Sequence, residues 1–324
     1  MIRFLIRRIV LGLITLWVII TLVFILYYAA PHDPAAQLAG RAVTPRLLQQ
    51  INREYGFNLP IIVQYWNYLK RMVPWPGLFN LGTSNTNRLP VTEIIAQAVP
   101  IDISLAVGSA ILWMVLGISV GVLAARRPRS IWDRGATVFV LTGVSMPTFI
   151  LGLLLLYVFY YLLTIHGIAI FPKPGSWTPF TTNPLEWAHD LILPWITLAL
   201  ITAATYSRLT RSSLLETLGE DYIRTARAKG LSERRVVYRH ALRSSLTPII
   251  TQFGIDLATV MGGAIITESI FGLPGLGLTV VQAIQVQNLP VVIGIVLVAS
   301  FFVVAANIVV DALYAVLDPR VRVS

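Results

Sequence analysis

The sequence predicts an all-α integral membrane protein with six transmembrane helices, and three observations carry that prediction. Of 324 residues, 56% are hydrophobic and 12% charged, about half the charged share of an ordinary soluble domain. Apolar runs of about twenty residues, the length that crosses a bilayer as a helix, recur along the chain. The basic residues alternate from loop to loop: 18 of the 25 Arg and Lys fall in segments assigned to the cytoplasm, as the positive-inside bias requires. Both termini are thereby placed inside the cell.

Charge and cysteine content exclude two classes. A net charge of +10 would mark a nucleic-acid surface if it lay on one folded face. Here it is dispersed over short loops between spans, which argues against that partner. Without cysteine there is no disulfide framework and no thiolate metal site.

Residues 1–30 form the N-terminus and first span. Arg3, Arg7 and Arg8 precede an apolar run from Ile9 to Ala30, longer than the roughly 7 to 15 residues of a signal-peptide core. Residues 31–100 form an external segment with a polar helical stretch around Leu47 to Glu54, an amphipathic segment Ile61 to Met72 and the turn-rich PWPGLFNLGTSNTNRLP. It is either a loosely ordered cap or a surface that receives a delivered ligand.

Residues 101–324 form a five-span core. The second span is Ile101 to Ala125, and Arg126, Arg127, Arg129 and Arg134 against Asp133 mark its far side as cytoplasmic. Gly117, Ser119 and Gly121 match G-x-S-x-G, but a nucleophile elbow needs a strand-to-helix turn and a positioned histidine. His32, His166, His189 and His240 are all expected in loops or their ends. Gly117 and Gly121 also fit the small-xxx-small pattern of close helix packing. The third span, Ala136 to Leu163, contains Met146-Pro147, a kink within a continuous helix. An outer loop from His166 to Asp190 leads to a fourth span, Leu191 to about Ser207, ended by Arg208 and Arg211.

The fifth span, Pro248 to about Ile270, is the most polar. Gln252, Asp256, Thr259 and Gly263 share one helix face, which either lines a translocation path or makes interhelical hydrogen bonds. Glu268 stands at its outer end, beside the helix-breaking GLPGLG of residues 272 to 277. A short helix from Thr279 to Gln287 precedes the sixth span, Val291 to Leu317, which carries Asp311. Asp318, Pro319, Arg320 and Arg322 close the chain.

The cytoplasmic loop 208–246 has its own design. Glu220 and Asp221 put acid where a short helix begins, Arg227 and Lys229 put base where it ends, and Gly230 can take the left-handed conformation that closes it. Ser232 is a candidate N-cap for a second helix. Tyr222, Ile223 and Ala226 offer an apolar strip, and Ala226, Ala228 and Gly230 are small enough for another surface to approach. The competing reading is a basic strip, Arg234, Arg235, Arg239 and Arg243, beside anionic lipid headgroups.

RTARAKGLSERRVVYRHAL resembles the cytoplasmic loop of ATP-binding-cassette importer permeases, in their oligopeptide, dipeptide and nickel branch. Anchored on Gly230, the wider class pattern sets Arg224, Thr225 and Ala226 at Glu-Ala-Ala, and His240, Leu242 and Arg243 at Ile, Leu and Pro. The spacing, one Ala, the Gly and the Leu are kept. LIRRI, YGFNLPIIVQYWNYL, LGTS, ESIFGLPGLG and LDPRVR extend the likeness along the chain.

The resemblance implies a permease fold docking an ATPase through Tyr222, Arg224, Thr225, Ala226, Arg227, Ala228, Lys229, Gly230, Leu231, His240 and Leu242, with a path containing Gln252, Asp256, Thr259 and Glu268. It implies a homologous permease, two ATP-binding subunits, an external solute-binding protein and membrane lipid as partners, in the bacterial cytoplasmic membrane. No glycine precedes a lysine, so the phosphate-cradling G-x-x-x-x-G-K-[ST] loop is absent. The chain is therefore expected to be no enzyme and to hold no cofactor, with ATP and Mg on the partner subunits. No His or Cys cluster has metal-ligand spacing, which leans towards a peptide solute. The alternatives are nickel or another small solute, an intramembrane hydrolase built on Ser119, or a proton-driven carrier using Asp256, Glu268 or Asp311.

Overall fold

The computed structural model describes residues 2–28, 44–56, 58–72 and 80–317. The end of the first span at Ala30, His32, the PWPGLF stretch and the tail from Asp318 lie outside the described residues, as does the side chain of Asp311. The described residues are mainly helical, and their one β feature is a lone bridge between Thr83 and Pro90. Helix α1 spans Ile2–Tyr28, α2 Pro45–Tyr55 and α3 Ile61–Met72. The core follows as α4 (Val91–Arg126), α5 (Ile131–Ser145), α6 (Thr148–Ile165), α7 (Pro184–Leu218), α8 (Asp221–Ala228), α9 (Glu233–Met261), α10 (Ile265–Phe271), α11 (Leu276–Gln285) and α12 (Leu289–Leu317). Five helices are long and apolar enough to cross a membrane, and six if α9 and α10, bent by 51°, count as one span.

Four expected boundaries move. The second span begins at Val91 and carries Pro100 inside it. A proline in a helix interior costs about 3 kcal/mol. Val91, Ile95 and Ala98 repay this by packing against Leu276, Ala283, Val291 and Ile295. The third span is two helices rather than one kinked helix, because a residue before proline is driven out of the α region. Met146 accordingly sits at φ −95, ψ 118.

The fourth helix starts at Pro184. Asn183 caps it through the Leu185 and Glu186 N–H groups, and proline suits the first helical position. His189 therefore stands on a helix, not in a loop, and His240 likewise lies in a π-helical turn, Val236–Ala241. The fourth helix continues past Arg208 and Arg211 to Leu218. The fifth span breaks at Gly262 to Ala264, where Gly263 takes φ +113 against the backbone of Gly277.

Helices α4 and α7 form the central pair. A Cβ on Gly117 would collide with Tyr206, and one on Gly121 would lie 2.6 Å from Thr210 Cβ and 2.7 Å from the Ser207 carbonyl. The G-x-S-x-G match is thus a packing seam inside a helix. Helix α5 leans on α7, α9 packs on both α7 and α12, and α1 lies outermost on α12. Near the C-terminal end of α1, Tyr65 of α3 hydrogen-bonds Thr21 at 2.7 Å and packs edge-on to Phe24. Trp66 remains exposed with the Lys70 ammonium over its ring, the amphipathic arrangement that suits a membrane interface. The LGTS turn is anchored by Asn288, whose amide donates to Ser84 Oγ at 2.8 Å and accepts from the Asn85 N–H.

Candidate functional site

The C-terminal ends of α4 and α7 and the start of α9 form a platform that carries α8. Its inward face inserts Ile223, fully buried, and Ala226 among Val122, Ala125, Leu214, Val236, Val237 and Ala241. Leu231 and Leu242 pack against the same cluster. Burying one such isoleucine contributes about 2 kcal/mol. Ala226, a residue of the expected docking strip, is only 8% exposed and packs within this internal cluster. Ile223 drops out of the expected docking strip for the same reason. Helical periodicity places an apolar strip on one face, but cannot tell whether the chain itself or a partner covers it.

The outward face consists of Tyr222, Arg224, Thr225, Ala228 and Lys229, all exposed. Tyr222 Oη donates to Ser244 Oγ at 3.0 Å, which ties this face to α9. Arg227 reaches over the turn to Glu233 with two hydrogen bonds, 3.1 and 2.8 Å. Gly230 closes the helix at φ +77, its N–H donating to the Arg227 carbonyl at 2.9 Å. Ser232 precedes the next helix without a side-chain cap bond. His240 is half-buried in the π-helical turn.

A second contact, not anticipated from sequence, braces this platform. Asp133, in the first turn of α5, accepts two hydrogen bonds from Arg211 of α7 and one from the Arg129 N–H. Those donors, Arg211 first, hold its carboxyl below the usual carboxylate range. The local clue was Asp133 standing alone among arginines.

Within the membrane Gln252 Nε2 donates to Asp256 Oδ1 at 3.0 Å. Asp256 is half-buried, with Tyr206 of α7 beside it. Thr259 is exposed and returns its hydroxyl to the Ile255 carbonyl. Glu268 does not join this face: it is fully buried beyond the break in the span, turned towards Asp102 of α4. Among the described residues, no group of three or more His, Cys, Asp or Glu is placed to hold a metal ion.

Comparison with known proteins gives concordant results. The family described as binding-protein-dependent transport system inner membrane component matches residues 117–323, and the N-terminal membrane component of such systems matches residues 1–106. A peptide transport system permease protein of Brucella abortus is 39% identical over 316 residues, 98% of each chain. The dipeptide transport system permease protein DppB of Escherichia coli K12 is 38% identical over 346 residues, 99% of each chain. A chain of the inward-facing MetNI methionine ABC transporter superposes with a TM-score of 0.50 at 21% identity. That match covers 68% of this chain and 96% of the other, and is a likeness of fold.

Proposed function

Because the chain belongs to the family of binding-protein-dependent transport system inner membrane components, we propose that it is a permease subunit carrying peptides into the cell. It is a multi-pass inner-membrane subunit of an ATP-binding-cassette importer and not an enzyme; such a permease works with ATP-binding subunits and a partner permease. In our reading two ATP-binding subunits hold ATP and Mg, a homologous permease completes the path, and an external binding protein delivers the solute. Both termini face the cytoplasm.

The observation that carries this reading is the two-sided character of α8. Its inner face is fastened to α4, α7 and α9 by buried contacts, while its outer face is polar, exposed and closed by a left-handed glycine. A load applied to the outer face therefore passes into three spans at once. Well-packed interiors deform little and transmit displacement. Closure of the ATP-binding subunits moves α8, and α8 moves the membrane helices, which alternately open the path to the two sides. The peptide assignment rests on the named relatives, with Asp256 as a carboxylate suited to a cationic amino terminus.

The test is to purify the assembled complex and present candidate solutes on the binding protein. Peptides should stimulate ATP hydrolysis, whereas nickel should not. Stimulation by nickel alone would overturn the peptide assignment and leave the permease assignment standing.

A further inference from the structure

Two carboxylates meet inside the outer half of the protein. Asp102 of α4 is 2% exposed and Glu268 of α10 is 0% exposed. Both converge on Gly275, where a Cβ would lie 2.6 Å from Glu268 Oε2 and 2.8 Å from Asp102 Oδ2. Each grips the start of α11: the Leu276 N–H donates to Asp102 Oδ2 at 2.6 Å, and the Leu278 N–H donates to Glu268 Oε2 at 2.7 Å. The remaining oxygens, Asp102 Oδ1 and Glu268 Oε1, are buried without a hydrogen-bond partner among the described residues.

This arrangement cannot hold two negative charges. Like carboxylates at close range do not both ionise, and unpaired buried charge costs several kcal/mol. Among the described residues, no arginine, lysine or histidine is among the groups acting on either carboxyl. On α10 and α11 Glu268 is the one charged side chain. From the outer loop and α7, Lys173 and Asp190 line a small cavity with Phe271 and Leu273, whose lining includes neither Asp102 nor Glu268. The α11 N-terminus supplies about half a unit of positive charge, which favours one carboxylate. The second is surplus unless it is neutral.

We propose that Asp102 and Glu268 share one proton, and that this proton fastens the Gly272–Gly277 segment to the second span. The pair then carries a single negative charge, facing two backbone N–H donors, with one O–H to O⁻ hydrogen bond joining the two carboxyls. Irregular backbone at membrane depth requires such internal satisfaction. The same segment receives the outer loop, since the Gly175 N–H donates to the Phe271 carbonyl at 2.7 Å. One proton thus holds α4, α10, α11 and the outer loop in register, whatever solute crosses.

The test uses infrared spectra of the purified complex at neutral pH, in water and in deuterium oxide. The wild type should show a carboxylic-acid C=O band that shifts on deuteration. Both Glu268→Gln and Asp102→Asn should lose that band, because either amide donates in the proton's place. Each single variant should keep most of its assembly and uptake, whereas the double variant sets two amide NH2 groups against each other and should lose both. Absence of the band from wild type overturns the proposal, as does its loss in one single variant only. Uptake lost as fully in the single variants as in the double variant also overturns it.

Discussion

Arg211 grips Asp133 through a paired contact, Nε to Oδ1 at 2.6 Å and Nη2 to Oδ2 at 3.0 Å, across 78 positions of sequence. The pair ties the first helix of the third span to the helix that runs on into α8. Because the Asp133 carboxyl is held below its ordinary range, its contribution is fully present above that range. It is lost as pH falls through the lowered value. Asp133→Asn should cost about 1 kcal/mol once the partial exposure of Arg211 is discounted. Thermal melts of the complex should show wild type and variant converging as pH falls; a constant gap at all pH values counts against an ionised pair.

Ile223 is buried beneath α8, so Ile223→Ala should cost about 2 to 4 kcal/mol. Helix α8 would lose its seat, and retention of the ATP-binding subunit should fall although no outward residue is touched. Arg224→Ala, on an exposed side chain, should leave stability unchanged and affect retention alone. Equal melting curves for Ile223→Ala and wild type would show that the inner face does not hold α8.

Gly230→Val separates strain from contact, since nothing stands within 4 Å of a Cβ built there. The cost is conformational, about 1 kcal/mol or more for a β-branched residue at positive φ. Gly230→Asn should be milder, because asparagine visits that region. Solute-stimulated ATP hydrolysis should therefore rank glycine, asparagine, valine. Valine as active as glycine would remove the turn from the coupling mechanism.

Gly117 and Gly135 are both helical glycines with opposite expectations. Gly117→Leu drives a side chain into Tyr206 and should cost at least the roughly 1 to 3 kcal/mol typical of overpacking, so the complex should fall apart on purification. Gly135 has nothing within 4 Å, and Gly135→Ala should raise stability by about 0.5 to 1 kcal/mol. Reversal of that order would mean that α4 and α7 do not approach as described.

Asp256→Asn keeps shape and the contact with Gln252 while removing charge. Uptake should fall, most for peptides with a free amino terminus, with assembly intact. Wild-type uptake across free and acetylated peptides would take Asp256 out of the path.

The sequence by itself determined the membrane class, the approximate place of the spans and the position of the glycine turn at Gly230. These depend on signals acting within a turn or two: an apolar run, acid before base along a short helix, a glycine where φ must be positive. Tertiary structure decided which residues meet. Ser84 finds Asn288 across 204 positions, and Asp102 reaches the N–H of Leu276 across 174. It also decided that Ile223 and Ala226 face the protein rather than a partner, and that Glu268 leaves the polar face of Gln252 and Asp256. The physical reason is that helix rotation is set by close packing at seams such as Gly117 against Tyr206. A periodic pattern names the faces of a helix but not the surface that each face meets.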